Sequence, residues 1–138
     1  MQIDFPMIGI VVRHDLAIWQ KLNVACFLTG GIAKAFPEII GEPYADANRV
    51  PYLSLVRQPI LIFGAEKDEL LNVTERARVR GVQVAIYTED LFTTYNDVDN
   101  RAAVAAVPAA DLNLVGVAVY AERRVADKIL KGLRLLTE

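Results

Sequence analysis

The segment Met7-Ile8-Gly9-Ile10-Val11-Val12-Arg13 is an almost unbroken apolar run of strand length that ends in a charge. A run of this kind fits a strand buried on both faces, as in sheets that carry helices on either side. Three more follow: Pro59-Ile60-Leu61-Ile62-Phe63, then Val82 to Tyr87, then Leu114 to Tyr120. Between them lie stretches with helical spacing. Ile18 to Phe36 places Ile18, Leu22, Cys26, Ile32 and Phe36 near one repeat, with Trp19, Val24, Ala25 and Leu28 on other faces. The spacing predicts a mostly buried helix with Cys26 in the core, where cysteine behaves as a small apolar residue. Gly30-Gly31 inside it costs ~1 kcal/mol per glycine relative to alanine and marks a break or a close approach of another backbone.

Glu66 to Arg80 is amphipathic, with Leu70, Val73 and Ala77 facing inward. Acids fill its first turn and arginines its last, as the helix dipole favours, and Gly81 suits the left-handed residue that stops it. Asn100 to Ala106 predicts a short alanine-rich helix; Val125, Ala126, Ile129, Leu130, Leu133 and Leu136 predict a final amphipathic one. From Pro37 to Pro59 the periodicity dissolves into a stiff, proline-punctuated crossover that carries Ile39, Ile40, Tyr44, Tyr52, Leu53 and Leu55. That apolar load predicts a contact surface, and the expectation is a symmetric homodimer that uses part of this segment.

With 138 residues the chain fits one domain, residues 1–138, and 54% hydrophobic against 23% charged residues excludes disorder. A single cysteine excludes a disulfide framework and suits a reducing compartment, so the cytoplasm is the expected location. Met1-Gln2-Ile3-Asp4 lacks the basic opening of a secretory signal, and no apolar stretch approaches the ~20 residues of a membrane span. A net charge of -2 removes the simplest electrostatic case for nucleic acid or an anionic membrane as partner.

The alternation predicts an α/β fold: a three-layer sandwich whose four-stranded, mainly parallel or mixed sheet has helices on both faces. Ligands of such sheets bind outside the carboxyl ends of the strands. Those ends are Arg13-His14-Asp15, Gly64-Ala65-Glu66, Glu89-Asp90 and Tyr120-Ala121-Glu122. No glycine-rich phosphate loop follows the first strand, so no nucleotide cofactor is expected. Asn96-Asp97-Val98-Asp99-Asn100 lacks the glycine and the closing glutamate of a calcium loop and reads as a helix cap; no metal is expected. The only histidine, His14, ends the first strand, and Cys26 lies mid-helix among Ala25, Phe27 and Leu28, which leaves the thiol without an evident base.

Lys21, Asp90 and Thr94 remain as candidates. An ammonium can stabilise a developing oxyanion, a carboxylate can take a proton from water, and a hydroxyl can orient that water. The alternative is a surface lysine and a turn built by aspartate and threonine.

Val11-Val12-Arg13-His14-Asp15-Leu16 followed by Lys21-Leu22-Asn23-Val24-Ala25-Cys26 resembles the opening of type II peptidyl-tRNA hydrolases. Arg80-Gly81-Val82, Asp90, Thr94 and the closing Asp127-Lys128-Ile129 to Leu135-Leu136 extend the resemblance. Trp19 to Val24, Ile40-Gly41-Glu42-Pro43-Tyr44, Gln58-Pro59, Phe92-Thr93-Thr94 and Asn100 to Val104 resemble more closely a bacterial family of that fold, labelled domain of unknown function two thousand. The chain departs from the hydrolase pattern at Ala25 and Leu28, where that pattern has glutamine and histidine, and at Phe92, where it has a small glycine.

The resemblance implies the hydrolase-like fold and a site at the strand ends. In it Asp90 activates water, Lys21 stabilises the oxyanion and Thr94 orients, with Arg13, His14, Asp15 and Phe92 binding the substrate. A small ester or amide is the expected substrate rather than peptidyl-tRNA, because this acidic chain lacks the polar helix face beside Lys21. The other reading is a non-catalytic ligand-binding or interaction module, a homodimer whose pocket is lined by Phe27, Leu28 and Phe92. The catalytic reading carries a geometric expectation: a Lys21–Asp90 contact, direct or through one water, near Thr94.

Overall fold

The computed structural model describes residues 5–137; Met1 to Asp4, on which the reading of the chain's opening rests, lie outside them. Strand β1 (Met7–Arg13) leads into helix α1 (Ile18–Ala35). Two short strands follow, β2 (Tyr44–Ala45) and β3 (Pro51–Tyr52), then β4 (Ile60–Ala65) and α2 (Lys67–Val79). The chain continues through β5 (Ala85–Thr88), α3 (Asp97–Ala105), β6 (Leu114–Ala121), α4 (Arg123–Ile129) and β7 (Arg134–Leu135). No helix among the described residues is long and apolar enough to cross a membrane.

The main sheet has five strands in the order β5-β6-β1-β4-β7, one more than expected. Only β1 and β4 pair in parallel; β6 lies antiparallel to both β1 and β5, and β7 antiparallel to β4. The sheet is therefore mixed. Strand β6 runs against β1 because the segment after β5 stays at the same sheet edge instead of crossing back under it. The carboxyl end expected at Tyr120-Ala121-Glu122 thus lies at the opposite edge, and Asn113 takes its place beside Arg13.

Alternation along β1 feeds two cores. Ile8, Ile10 and Val12 pack with Val24, Leu28 and Ile32 of α1 on one face. Met7 and Val11 pack with Leu70, Val73 and Ala77 of α2 and Ala126 and Ile129 of α4 on the other. Helices cover both faces, as expected. The inward stripe of α1, however, is Val24-Leu28-Ile32, and the residues read as inward, Ile18 and Leu22, are 75% and 63% exposed. Cys26 is exposed as well, which corrects its core assignment. It sits two residues past Val24, about 200° round the helix. Gly30 and Gly31 do not break α1; at Gly31 an added Cβ would lie 3.5 Å from Ala85 Cβ of β5.

The final helix is shorter than its periodicity suggests. Chain direction changes at Gly132, whose φ of +86° is open to glycine, and Arg134–Leu135 pairs with Gly64 and Phe63 of β4. Leu136 N–H donates to Ile62 O at 2.8 Å. Leu133 and Leu136 thus serve a strand that covers the edge of β4, an edge otherwise open to foreign strands.

The Pro37–Pro59 crossover is ordered. Tyr44 pairs with Tyr52 in a two-stranded arm, and Ile40 bridges to Val56 at its base. At the tip Asp46 accepts from the backbone of Asn48 and Val50 and from the Tyr52 hydroxyl. Gln58 Nε2 donates to Pro6 O at 2.6 Å and ties the returning chain to the start of β1.

Close packing of α1 on the sheet requires Gly116 of β6: a Cβ there would lie 2.3 Å from Val24 Cγ1 and 3.1 Å from Leu28 Cδ1. Gly116→Ala is expected to destabilise the fold by ~1–3 kcal/mol in urea denaturation. Adding Val24→Ala should return part of that loss; strictly additive losses would show that the two residues do not compete for one space.

Candidate functional site

Strands β1, β4 and β5 run in one direction, so their carboxyl ends meet at one sheet edge with the amino end of β6. Arg13, the last residue of β1, has a side chain only 12% exposed. Its Nε donates to Asp15 Oδ1 at 2.6 Å and its Nη1 to Asn113 Oδ1 at 3.2 Å. Its Nη2 lies 3.4 Å from Glu89 Oε1. Asn113 in turn donates its amide to the second Glu89 oxygen. The guanidinium is held by a residue from each of three segments: the β1–α1 turn, the turn after β5 and the residue before β6. Burial works against its charge, but the Asp15 hydrogen bond and the charges of Asp15 and Glu89 outweigh it, so its pKa is raised. The same hydrogen bond holds the Asp15 carboxyl below the usual carboxylate range.

These groups wall a cleft of about 350 Å³ together with Glu66 and Lys67, where α2 begins. Glu69 accepts from Glu66 N at 2.8 Å and caps that helix. The cleft thus brings together Arg13 and Asp15 of the sequence-predicted residues. His14 packs elsewhere: a Cβ added to Gly64 would lie 2.7 Å from its ring, so the imidazole lies over bare β4 backbone.

Phe92 belongs to an aromatic chain. Trp19 meets it edge-on at 5.8 Å between ring centroids, Tyr87 lies 5.1 Å from it, and Phe27 meets Tyr87 at 5.6 Å. Phe27 is 58% exposed while Leu28 is buried under α1, so the apolar pocket expected from Phe27, Leu28 and Phe92 does not form as one surface.

Lys21 is half-buried in α1, and Asp90 is exposed in the 3-10 turn Glu89–Phe92. No hydrogen bond or ion pair joins them; ion pairs among the described residues are Arg13–Asp15, Arg13–Glu89, Glu75–Arg78 and Asp97–Arg101. The expected direct contact is thus absent. The Asp90 carbonyl accepts from Thr93 N–H and Oγ1, and the Thr94 hydroxyl is engaged by Asn100 Oδ1 and Leu91 O. Both residues work in the turn that leads to α3. Asn96 caps that helix by accepting from Asp99 N at 2.8 Å, as its sequence suggests. No group of three or more His, Cys, Asp or Glu residues among the described residues could hold a metal ion.

Asn113 and Lys67 escaped sequence reasoning. Asn113 precedes a strand taken to run the other way. The signal available for Lys67 was its place in the first turn of a helix that leaves a strand end.

Residues 8–137 match the family described as protein of unknown function (DUF2000). A comparison with curated proteins gives no match. The structure of the protein of unknown function Atu0240 from Agrobacterium tumefaciens strain C58 is similar throughout, with a TM-score of 0.95 at 36% identity. The alignment covers 98% of this chain and 100% of that one.

The Arg13–Asp15 pair adds stability above the ordinary titration range of a free carboxyl and loses it as acid protonates Asp15 through its lowered folded pKa. With the Asp15 side chain 68% exposed, that contribution is small, and the titration itself is the better readout. In Arg13→Met the Asp15 carboxyl should titrate at higher pH by carbon-detected NMR. An unchanged midpoint would dissolve the pair.

Proposed function

We propose a function for a chain that belongs to the DUF2000 family of proteins of unknown function: it binds a small polar molecule in the Arg13 cleft. The carrying observation is the guanidinium itself, nearly buried and held by Asp15, Asn113 and Glu89 at the wall of an open cleft. Such anchoring fixes its remaining N–H groups before a ligand arrives, which lowers the ordering cost of binding. The carboxylates of Asp15, Glu66 and Glu89 outnumber the cations Arg13 and Lys67 around the cleft. That balance favours a ligand bearing ammonium or amide N–H donors, whose carbonyl oxygen Arg13 receives. The protein acts as a homodimer in the cytoplasm and leaves nucleic acid alone, in keeping with its net charge of -2.

Nitrogen-15 NMR titration with amino-acid amides, polyamines and short dicarboxylates tests this. Amides or amines should shift Arg13, Lys67, Glu89 and Asn113 saturably, and Arg13→Met should weaken binding at least tenfold, about 1.4 kcal/mol. Silence at these residues, or a response to dicarboxylates alone, would remove the proposal.

A second reading rests on the Trp19–Phe92 contact, which sets the first turn of α1 beside the turn that holds Asp90. In it the protein is a hydrolase of small esters or amides with the type II peptidyl-tRNA hydrolase-like fold. Asp90 activates water, Lys21 stabilises the oxyanion, and Thr94 orients the water once Asn100 releases its hydroxyl. Phe92 flanks the substrate. The ligand-binding proposal expects any turnover of p-nitrophenyl acetate or an N-acyl amide to survive Lys21→Met. A hundredfold loss of kcat with the fold intact would favour the hydrolase.

A further inference from the structure

The polar groups of the Arg13 cleft fall into two sets, one bound up internally and one open to a ligand. In the first, Arg13 Nη1 donates to Asn113 Oδ1, Asn113 Nδ2 donates to Glu89 Oε2, and Arg13 Nη2 lies 3.4 Å from Glu89 Oε1. This closes a ring that engages both Glu89 oxygens. Arg13 Nε engages one oxygen of Asp15. A guanidinium has more N–H groups than these bonds use, so Arg13 keeps donors for a ligand.

The second set consists of Asp15 Oδ2, the Glu66 carboxylate and the Lys67 ammonium. All three belong to walls of the same cleft, and none takes part in an ion pair among the described residues. The open groups are therefore two anionic acceptors and one cationic donor. Over the whole cleft, three carboxylates face two cations, which leaves the same surplus of negative charge. A matching ligand carries the inverse set: two cationic groups and one carboxylate.

We propose that the ligand is an α-amino acid with a basic side chain, of the lysine or ornithine kind; this rests on the Arg13 cleft being the binding site proposed above. Glu66 and Lys67 are neighbours at the start of α2, as ammonium and carboxylate are neighbours on an α-carbon. Lys67 takes the ligand's carboxylate, which keeps an oxygen for the open Arg13 N–H groups, and Glu66 takes the α-ammonium. Asp15, on the β1–α1 turn, takes the side-chain cation. Other small ions match less well. A dicarboxylate sets two anions against one open cation. A diamine leaves Lys67 facing cations alone, and a neutral amino acid leaves Asp15 Oδ2 unmatched.

The Asp15 side chain is 68% exposed and Glu66 and Lys67 are exposed, so each match is worth a few-fold in affinity and is best read at low salt. Nitrogen-15 NMR titration in low-salt buffer compares L-lysine with L-norleucine, which lacks the side-chain ammonium, and with cadaverine, which lacks the carboxylate. L-lysine should bind about threefold more tightly than either, with saturable shifts at Arg13, Asp15 and Lys67. Asp15→Asn, which keeps an oxygen for Arg13 Nε, should erase the preference over norleucine. Lys67→Met should erase the preference over cadaverine, and dispersed spectra show that each variant is folded. Equal affinity for lysine and norleucine, tighter binding of cadaverine, or preferences that neither variant moves would overturn the proposal. In those cases saturable shifts at Arg13 would still leave the cleft as a binding site. If none of the three compounds moves Arg13, Glu89 or Asn113, the cleft's role in binding falls as well.

Discussion

The central strand β1 pairs in parallel with β4 on one side and antiparallel with β6 on the other, while its side chains alternate into two separate cores. A strand in that position has no free hydrogen-bonding edge and no solvated face, so every residue from Met7 to Val12 is buried. Small residues make it workable. Gly9 leaves room for Leu130, whose Cδ1 would lie 2.7 Å from an added Cβ, and Gly116 on the neighbouring strand does the same for Val24. The first polar residue that the strand delivers is Arg13, and it emerges where the segments before β6 and after β5 also surface. The cleft follows from strand directions: reversing β6 would carry Asn113 to the far edge and take away one of the guanidinium's partners.

Elements that depend on local chemistry were legible in the sequence. The apolar runs of β1 and β4, the charge polarity of α2, Gly81 at its end and the Asn96 cap all come from nearest-neighbour physics, and the structure holds each of them. Elements that depend on a distant partner were not. Leu133 and Leu136 keep helical spacing with Ile129, yet an unpaired edge of β4 outweighs that periodicity once Gly132 turns the chain. The inward face of α1, Val24-Leu28-Ile32, is hidden in the sequence for a related reason. Its apolar residues form two stripes, and periodicity alone does not say which one meets the sheet.

The candidate site divides along the same line. Arg13 and Asp15 were marked by their place at the end of a buried strand, whereas Asn113 became visible only with the direction of β6. Lys21, Asp90 and Thr94 match a family pattern, but the Thr94 hydroxyl is engaged by Asn100 and Leu91 and the Lys21–Asp90 ion pair does not form. Residues that keep their identity from a pattern can keep a structural role through the same hydrogen bonds.

The two-residue strand β7 has a bearing on how the chain is made. On the ribosome β1 and β4 emerge early and can pair as soon as α1 has folded between them. The outer edge of β4 then waits, through the synthesis of α2, β5, α3, β6 and α4, for Arg134 and Leu135 to reach it. Throughout that interval the nascent chain carries an open strand edge of the kind that recruits other unfinished chains. The apolar flank of β4, from Ile60 to Phe63, makes the delay a hazard that a slow or stalled ribosome would lengthen.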